Sequence, residues 1–369
     1  MLLILVSFNN VTMTSNDLIR NPAPLKSDYQ PSQFPERDRE KAALTEFFAD
    51  PTDTHLRNLY VHGSWGSGKT HLLRHVLDEL PERVNVCYVS CARNDTQYKA
   101  LQQLCSKITE ETVGDGYHTS ELQRRIEKRT GQVPTVIVLD EIDFLLLNDG
   151  SDLLYYLSRL EGNTGIIAVS SHQAELRSEL EERTYSSLQP QSMVFESYGA
   201  EQVYQILAER ARSALKPQSL HREALTYISS RTRNVTVGLR WLRTAAERVD
   251  DSITVETVEE TQPVARRRYV DSQLDSFTPH HELLFQALVE LTAENGDKTT
   301  IQTGTVYGRY EDLCETYGED ELSSRRIGDF LKQLELLDLI DADYHYGGQK
   351  GKTRELEVKE FYNQLTDLT

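Results

Sequence analysis

Short runs rich in Val and Ile, alternating with helical stretches, predict an α/β protein built on a parallel sheet. A glycine-rich loop between the first run and the helix behind it predicts that this sheet carries phosphates. Beyond residue 198 the strands stop, and helices followed by a glycine-turned hairpin predict a helical lid domain and a C-terminal winged helix-turn-helix.

Residues 1–36 read as an extended, partly disordered arm, because "SNDLIRNPAPLKSDYQPSQFPE" is rich in Pro, Ser and Asn. Met13 opens a second plausible start, so residues 1–12 are expected to be an upstream extension, which mass spectrometry of the native N-terminus tests. Residues 37–197 hold a helix at "RDREKAALTEFFAD" and buried strands at "NLYVHG", "RVNVCYVS", "PTVIVLDEID" and "TGIIAVSS". Residues 198–262 hold three helical patterns in a row, the expected lid. Residues 263–369 begin with a connecting helix expected to break near Pro263. They continue through "PHHELLFQALVELTAE", "TVYGRYEDLCETYG" and "SSRRIGDFLKQLELLDLI" to the hairpin "IDADYHYGGQKGKTRELEV".

With 369 residues the chain exceeds what one hydrophobic core holds, and it has no apolar run of 18 or more residues to cross a bilayer. No membrane partner is expected. Cys87, Cys91, Cys105 and Cys314 have neither disulfide-framework nor zinc spacing, so they read as small core residues in a reduced cytoplasm. His280 and His281 are adjacent on a helix and point apart, so they form no metal pair. The net charge is −18, and the 40 basic residues divide into 12 lysines and 28 arginines. Acidity with scarce lysine suits a halophilic cytoplasm of molar salt, where the Debye length is about 3 Å. Such a balance does not exclude a nucleic-acid partner, so local charge decides.

The loop Gly63, Ser64, Trp65, Gly66, Ser67, Gly68, Lys69, Thr70 meets G-x-x-x-x-G-K-S/T, with a strand before it and a helix from His71 after it. The glycines let backbone N–H groups curl around phosphates, Lys69 neutralises them, and the Thr70 hydroxyl ligates Mg2+. The expected cofactors are therefore ATP or ADP with Mg2+. In "VIVLDEID" a buried strand ends by presenting Asp140 to the metal and Glu141 to the attacking water. Acids merely capping the next helix are the alternative. Arg37 and Arg39, upstream of the loop strand, either lie over the base or ribose or sit at a solvated helix start.

The order "FPERDRE", "GSWGSGKT", "VIVLDEID", "RTYSSL", "VFESY", then lid and winged helix, resembles the archaeal replication initiators over roughly residues 30–358. These are AAA+ ATPases related to the large subunit of the eukaryotic origin recognition complex and to its helicase-loading partner. "RTYSSLQPQSMVFESY" and "YEDLCETYGEDELSSRRIGDFLKQLELLDLI" are the more specific stretches. The resemblance implies an AAA+ fold, double-stranded origin DNA and a replicative helicase or other initiator subunits as partners, and a nucleoid-associated protein. It makes Arg183 the arginine that acts on a neighbouring subunit's nucleotide; the alternative is a surface arginine balancing Glu181 and Glu182. Two positions depart from the family: Ser171 stands where an asparagine usually orients the water, and Thr236 where the lid's nucleotide-sensing arginine stands. Arg233 and Arg240 are candidate substitutes. Slow hydrolysis is the expectation.

For DNA, Ser323 and Ser324 open the helix of "LSSRRIGDFLKQL", and Arg325 and Arg326 stand in its first turn, where a recognition helix meets base edges or phosphates. The hairpin tip carries Lys350, Lys352 and Arg354 without an acid. The resemblance implies that this wing enters the minor groove. It also implies a second contact within residues 94–121. Arg124, Arg125, Lys128 and Arg129 form a basic face that reads as solvent- or subunit-facing, and Arg266, Arg267 and Arg268 read as phosphate contacts. The sequence thus points to an ATP-controlled initiator. A DNA-binding regulator of a plasmid, virus or promoter with a structural nucleotide site is the alternative, and a signalling ATPase whose winged helix binds protein stands third.

Overall fold

A computed structural model describes residues 18–31, 33–49, 55–148, 150–172, 175–296, 300–345 and 353–359, apart from the side chains of 344, 345 and 353. The possible starts at Met1 and Met13 lie outside the described residues, as do Lys350 and Lys352 at the hairpin tip. The described chain divides into two compact units. One is Gln30–Gln202 with Arg233–Val235; the other combines the described residues up to Tyr29 with Val203–Thr232 and those from Thr236 on.

The first unit is the expected α/β layer. Its sheet joins β1 (Leu59–Gly63), β2 (Asn85–Ser90), β3 (Thr135–Asp140), β4 (Thr164–Ser170) and β5 (Gln191–Phe195) in the order β2-β3-β4-β1-β5, every pairing parallel. β3 is buried at all six positions and β4 at six of seven, which is why both read as continuous apolar runs. α1 (Asp38–Phe47) and α2 (Lys69–Asp78) cover one face, with Leu44, Leu72 and Leu73 packed on Leu59, Val61 and Val138. α3 (Gln97–Thr109), α4 (Thr119–Thr130) and α6 (Ser151–Ser158) cover the other, around Leu104, Ile126, Ile137 and Leu154. α5 (Ile142–Leu147), α7 (Leu176–Glu179) and α8 (Glu182–Leu188) fill the connections. The stretch 94–121 contains α3, its loop and the start of α4, with buried Ala100, Leu101 and Cys105 on its inner face.

In the second unit, α9 (Ala200–Ala214), α10 (Arg222–Arg231) and α11 (Val235–Arg248) are the three expected helices in a row. The described part of the arm is not loose here: Leu18 and Leu25 are buried, and the backbone N–H groups of Arg20 and Asn21 both donate to the Ala214 carbonyl. α12 (Val255–Leu274) corrects one expectation, because it runs unbroken through Pro263. A Thr254–Thr257 capping box starts it, and Val258, Thr261, Ala265, Tyr269 and Val270 bury one face, so packing outweighs the backbone bond that proline removes. The expected boundary at 262/263 falls inside this helix.

α13 (Pro279–Asn295), α14 (Thr303–Tyr317) and α15 (Ser324–Leu336) then pack with an antiparallel sheet of β6 (Thr300–Gln302), β7 (Ile340–His345) and β8 (Thr353–Val358), in the order β6-β8-β7. That is a winged helix. His280 and His281 do turn to different partners: the first meets the Tyr310 hydroxyl, the second is buried against Phe330 and Gln333.

Candidate nucleotide site and nucleic-acid interface

β1 delivers the chain into the glycine loop, and α2 leaves from it with Gly68 at the N-cap in the left-handed region, φ 86°. Gly66 has φ 71°, and a Cβ there would stand 2.1 Å from Asn234 Oδ1, so only glycine fits this turn. The loop is thereby bent so that the first turn of α2 points its unbonded N–H groups into the bend. Lys69 Nζ donates to the carbonyls of Gly63 (2.8 Å) and Ser64 (2.9 Å), and burial lowers its pKa to about 8. A phosphate in the bend would give that desolvated cation a better partner. The Ser67 hydroxyl is buried and, among the described residues, has no hydrogen-bond partner, which also fits a ligand oxygen. Ser64 accepts from Ser197 Oγ, the His71 carbonyl accepts from Gln30, and Trp65 is partly exposed on the loop.

β3 ends beside this loop. The Thr70 hydroxyl donates to Asp140 Oδ2 at 3.1 Å, and the Tyr88 hydroxyl donates to the same oxygen. Burial pushes the Asp140 carboxyl up from its ordinary range, against the pull of those two hydroxyls. A hydroxyl and a buried carboxylate that lacks a full counter-charge form a donor set that fits Mg2+. Glu141 follows in the left-handed conformation, φ 58°, and accepts from Ser90 Oγ at 2.7 Å. Burial, then the neighbouring Asp140, raises its pKa to about 7. Asp140 therefore faces the loop, and Glu141, at the N-cap of α5, makes no side-chain capping bond. Tyr88 and Ser90 were missed by motif reading; the parallel register that sets Ser90 opposite Asp140 is the signal that locates them.

At the end of β4, the Ser171 N–H donates to Asp143 Oδ2 at 3.2 Å and the Ser170 hydroxyl to Asp143 Oδ1 at 2.8 Å. Ser171 is thus anchored by its backbone near the two acids. Arg37 is not at a solvated helix start: it is buried, donates to the carbonyls of Ser67 (2.9 Å) and Glu196 (2.6 Å), and lies 4.1 Å over the Tyr198 ring. Backbone carbonyls and an aromatic face hold this guanidinium as a strut behind the loop. Arg39 is exposed. Arg183 pairs with Glu181 and Asp152, each at 2.7 Å, on an exposed surface. Of the candidates near Thr236, Arg233 belongs to the unit of the phosphate loop, and Arg240 to the other.

On the winged helix, Ser323 occupies the N-cap of α15 but its side chain makes no capping bond. Ser323, Ser324, Arg325 and Arg326 are all exposed, and neither arginine has an ion pair among the described residues. Arg325 borders a groove of about 480 Å³ with Thr303, Gly304, Tyr307, Lys332 and Arg354. Arg354 is half of an ion pair with Glu335 at 2.9 Å, so its charge is largely met within the fold. Lys332, Tyr307 and Gly304 were not singled out from the sequence; their shared groove shows only once α14 and α15 are packed. Arg266 is buried, Arg267 pairs with Asp271 and Arg268 with Glu247, so this triplet is not an open phosphate patch. Arg124 and Arg125 pair with Glu121 on their own helix.

Residues 53–180 match the AAA domain family model, and residues 272–366 match the CDC6 C-terminal winged helix domain. Sheet order, phosphate loop and wing together define an AAA-domain protein with a Cdc6-type winged helix. The chain is 28% identical over 366 residues to the ORC1-type DNA replication protein 1 of Sulfolobus acidocaldarius, covering 94% of this chain and 91% of that one. It is 27% identical over 372 residues to the ORC1-type DNA replication protein of Pyrococcus abyssi, covering 94% and 88%. The solved structure of the Aeropyrum pernix ORC1 protein in complex with DNA superposes with a TM-score of 0.73 at 26% identity, over 95% of this chain and 97% of that one. Over most of its length the chain is thus similar to the archaeal ORC1-type DNA replication proteins. No helix among the described residues is long and apolar enough to cross a membrane.

Proposed function

We propose that this chain is an ATP-controlled initiator that binds double-stranded origin DNA through its winged helix and promotes recruitment of the replicative helicase. The observation that supports the reading is the pairing, in one chain, of the Thr70 hydroxyl–Asp140 hydrogen bond beside the glycine loop with exposed arginines at the start of α15 that have no ion pair among the described residues. Lys69 and the loop N–H groups would hold the phosphates, and Thr70 and Asp140 the Mg2+, which neutralises charge on the β and γ oxygens when bound. Glu141 would take the proton of the attacking water. Arg183 would act on a neighbouring subunit's nucleotide after leaving Glu181 and Asp152.

Hydrolysis is proposed to be slow, because Ser171 offers a hydroxyl in place of an amide and Thr236 no guanidinium. Turnover of tens per second, at or above the median of ordinary enzymes, contradicts this. Replacing Ser171 by Asn is expected to raise the rate about a hundredfold, at the low end of what one positioned group contributes. The acidic, lysine-poor composition supports work in molar KCl, which a rise of stability with KCl would test.

Nuclease footprinting of chromosomal fragments with ATP, ADP or no nucleotide tests the whole reading. Protection confined to replication origins and altered by nucleotide supports it. Nucleotide-independent protection of promoters overturns it in favour of a regulator.

A further inference from the structure

In the second unit, arm residues 25–28 and one face of α11 border an open cavity of about 250 Å³ lined in part by Lys26, Asp28, Thr236, Arg240 and Arg243. Thr236, Arg240 and Arg243 follow the i, i+4, i+7 spacing of a single helical face. Three basic side chains against one acid run counter to a chain of net charge −18. The charges are also unequally met. Arg243 Nε donates to Glu247 Oε1 at 2.8 Å, and Glu247 also pairs with Arg268, so one carboxylate serves two guanidiniums. Among the described residues, no hydrogen bond or ion pair reaches the guanidinium of Arg240, which is partly buried. Burial, then Arg243 and Arg268, lower its pKa, as expected for a cation that lacks its anion.

We propose that this cavity binds a phosphate group, with Arg240 as its principal ligand and Lys26 and Arg243 beside it. The planar fork of Arg240 suits two oxygens of a phosphate, Lys26 adds a point charge, and Thr236 places the positive end of α11 at the same opening. A dianion would balance the excess positive charge that the lone Asp28 leaves. Two sources carry that chemistry, a small phosphorylated molecule and a DNA backbone phosphate.

The test removes the phosphate loop first, so that it does not depend on the proposed function. In Lys69→Ala protein, thermal midpoints are recorded against inorganic phosphate, with KCl of equal ionic strength as the baseline. A saturable rise is expected, absent in Lys69→Ala/Arg240→Gln and weakened about tenfold in apparent affinity in Lys69→Ala/Arg240→Lys. General salting effects of phosphate act equally on all three variants, so only the difference counts. No saturable rise, or the same rise in every variant, overturns the proposal. The source is read from duplex DNA binding by Arg240→Gln in the otherwise native chain. A salt slope reduced by about one assigns the phosphate to DNA, and an unchanged slope assigns it to a small molecule.

Discussion

The candidate nucleotide site and the start of α15 handle charge in opposite ways. Around the phosphate loop, Lys69, Arg37, Asp140 and Glu141 are largely or wholly withdrawn from water and each is already engaged by backbone, hydroxyl or ring. On α15, Arg325 and Arg326 stand in solvent with no ion pair among the described residues. A buried site keeps its geometry through satisfied bonds, and a ligand there must displace protein partners. An exposed one waits for a partner that brings its own charge, and its strength therefore depends on salt.

The largest effect that separates the two is expected from Lys69→Ala. Nucleotide at a hundredfold excess over its Kd should stabilise the native chain by about 2.7 kcal/mol, and that gain should vanish in the variant while DNA binding persists. Thermal unfolding with and without Mg-ATP reads it. Arg37→Ala should cost about 2–3 kcal/mol of stability, since it strands the Ser67 and Glu196 carbonyls and empties the space over Tyr198. Urea unfolding checks this, and a loss under 0.5 kcal/mol would mean that Arg37 is not a strut. Arg325→Ala should weaken specific DNA binding by about 1–3 kcal/mol and leave nucleotide affinity unchanged.

Among these, the strand, glycine bend and helix start were legible in the sequence because they are contiguous from Leu59 to Asp78 and depend on local spacing alone. The winged helix was legible because α13, α14 and α15 are each contiguous helical runs of 13 to 17 residues followed by a hairpin. β5 and β6 were not among the recognised strands. β5 is an edge strand paired only with β1, with Gln191, Ser192 and Val194 exposed, so it lacks the apolar run of β3. β6 has three residues, too few for any period. Arg37 shows the other limit: its partners Glu196 and Tyr198 lie some 160 residues away, and no local pattern distinguishes a buried strut from a solvated helix start.

A smaller effect concerns pH. The Glu141 carboxyl is raised from 4.5 to about 7 in the folded, nucleotide-free protein. Between those values the folded state holds a proton that the unfolded state has released, so stability should fall as pH rises through the window. Glu141→Gln should remove that slope and leave the variant more stable than the native chain above pH 7, by an amount on the order of 1–2 kcal/mol, in urea titrations at pH 5 and 8. The smallest effect is expected at Arg183. Its ion pairs are exposed, so Arg183→Ala should change stability by less than about 0.5 kcal/mol, and any loss of ATP turnover in concentrated protein then reports contact with a neighbouring subunit.

The central claim is that nucleotide at the buried site controls DNA at the exposed one. The direct measurement is the Kd for ADP and for ATP, by titration, with and without saturating origin duplex. Control requires a coupling free energy, and coupling is reciprocal, so duplex should shift at least one of the two nucleotide affinities by about fivefold or more. Identical affinities with and without duplex, for both nucleotides, would contradict the account.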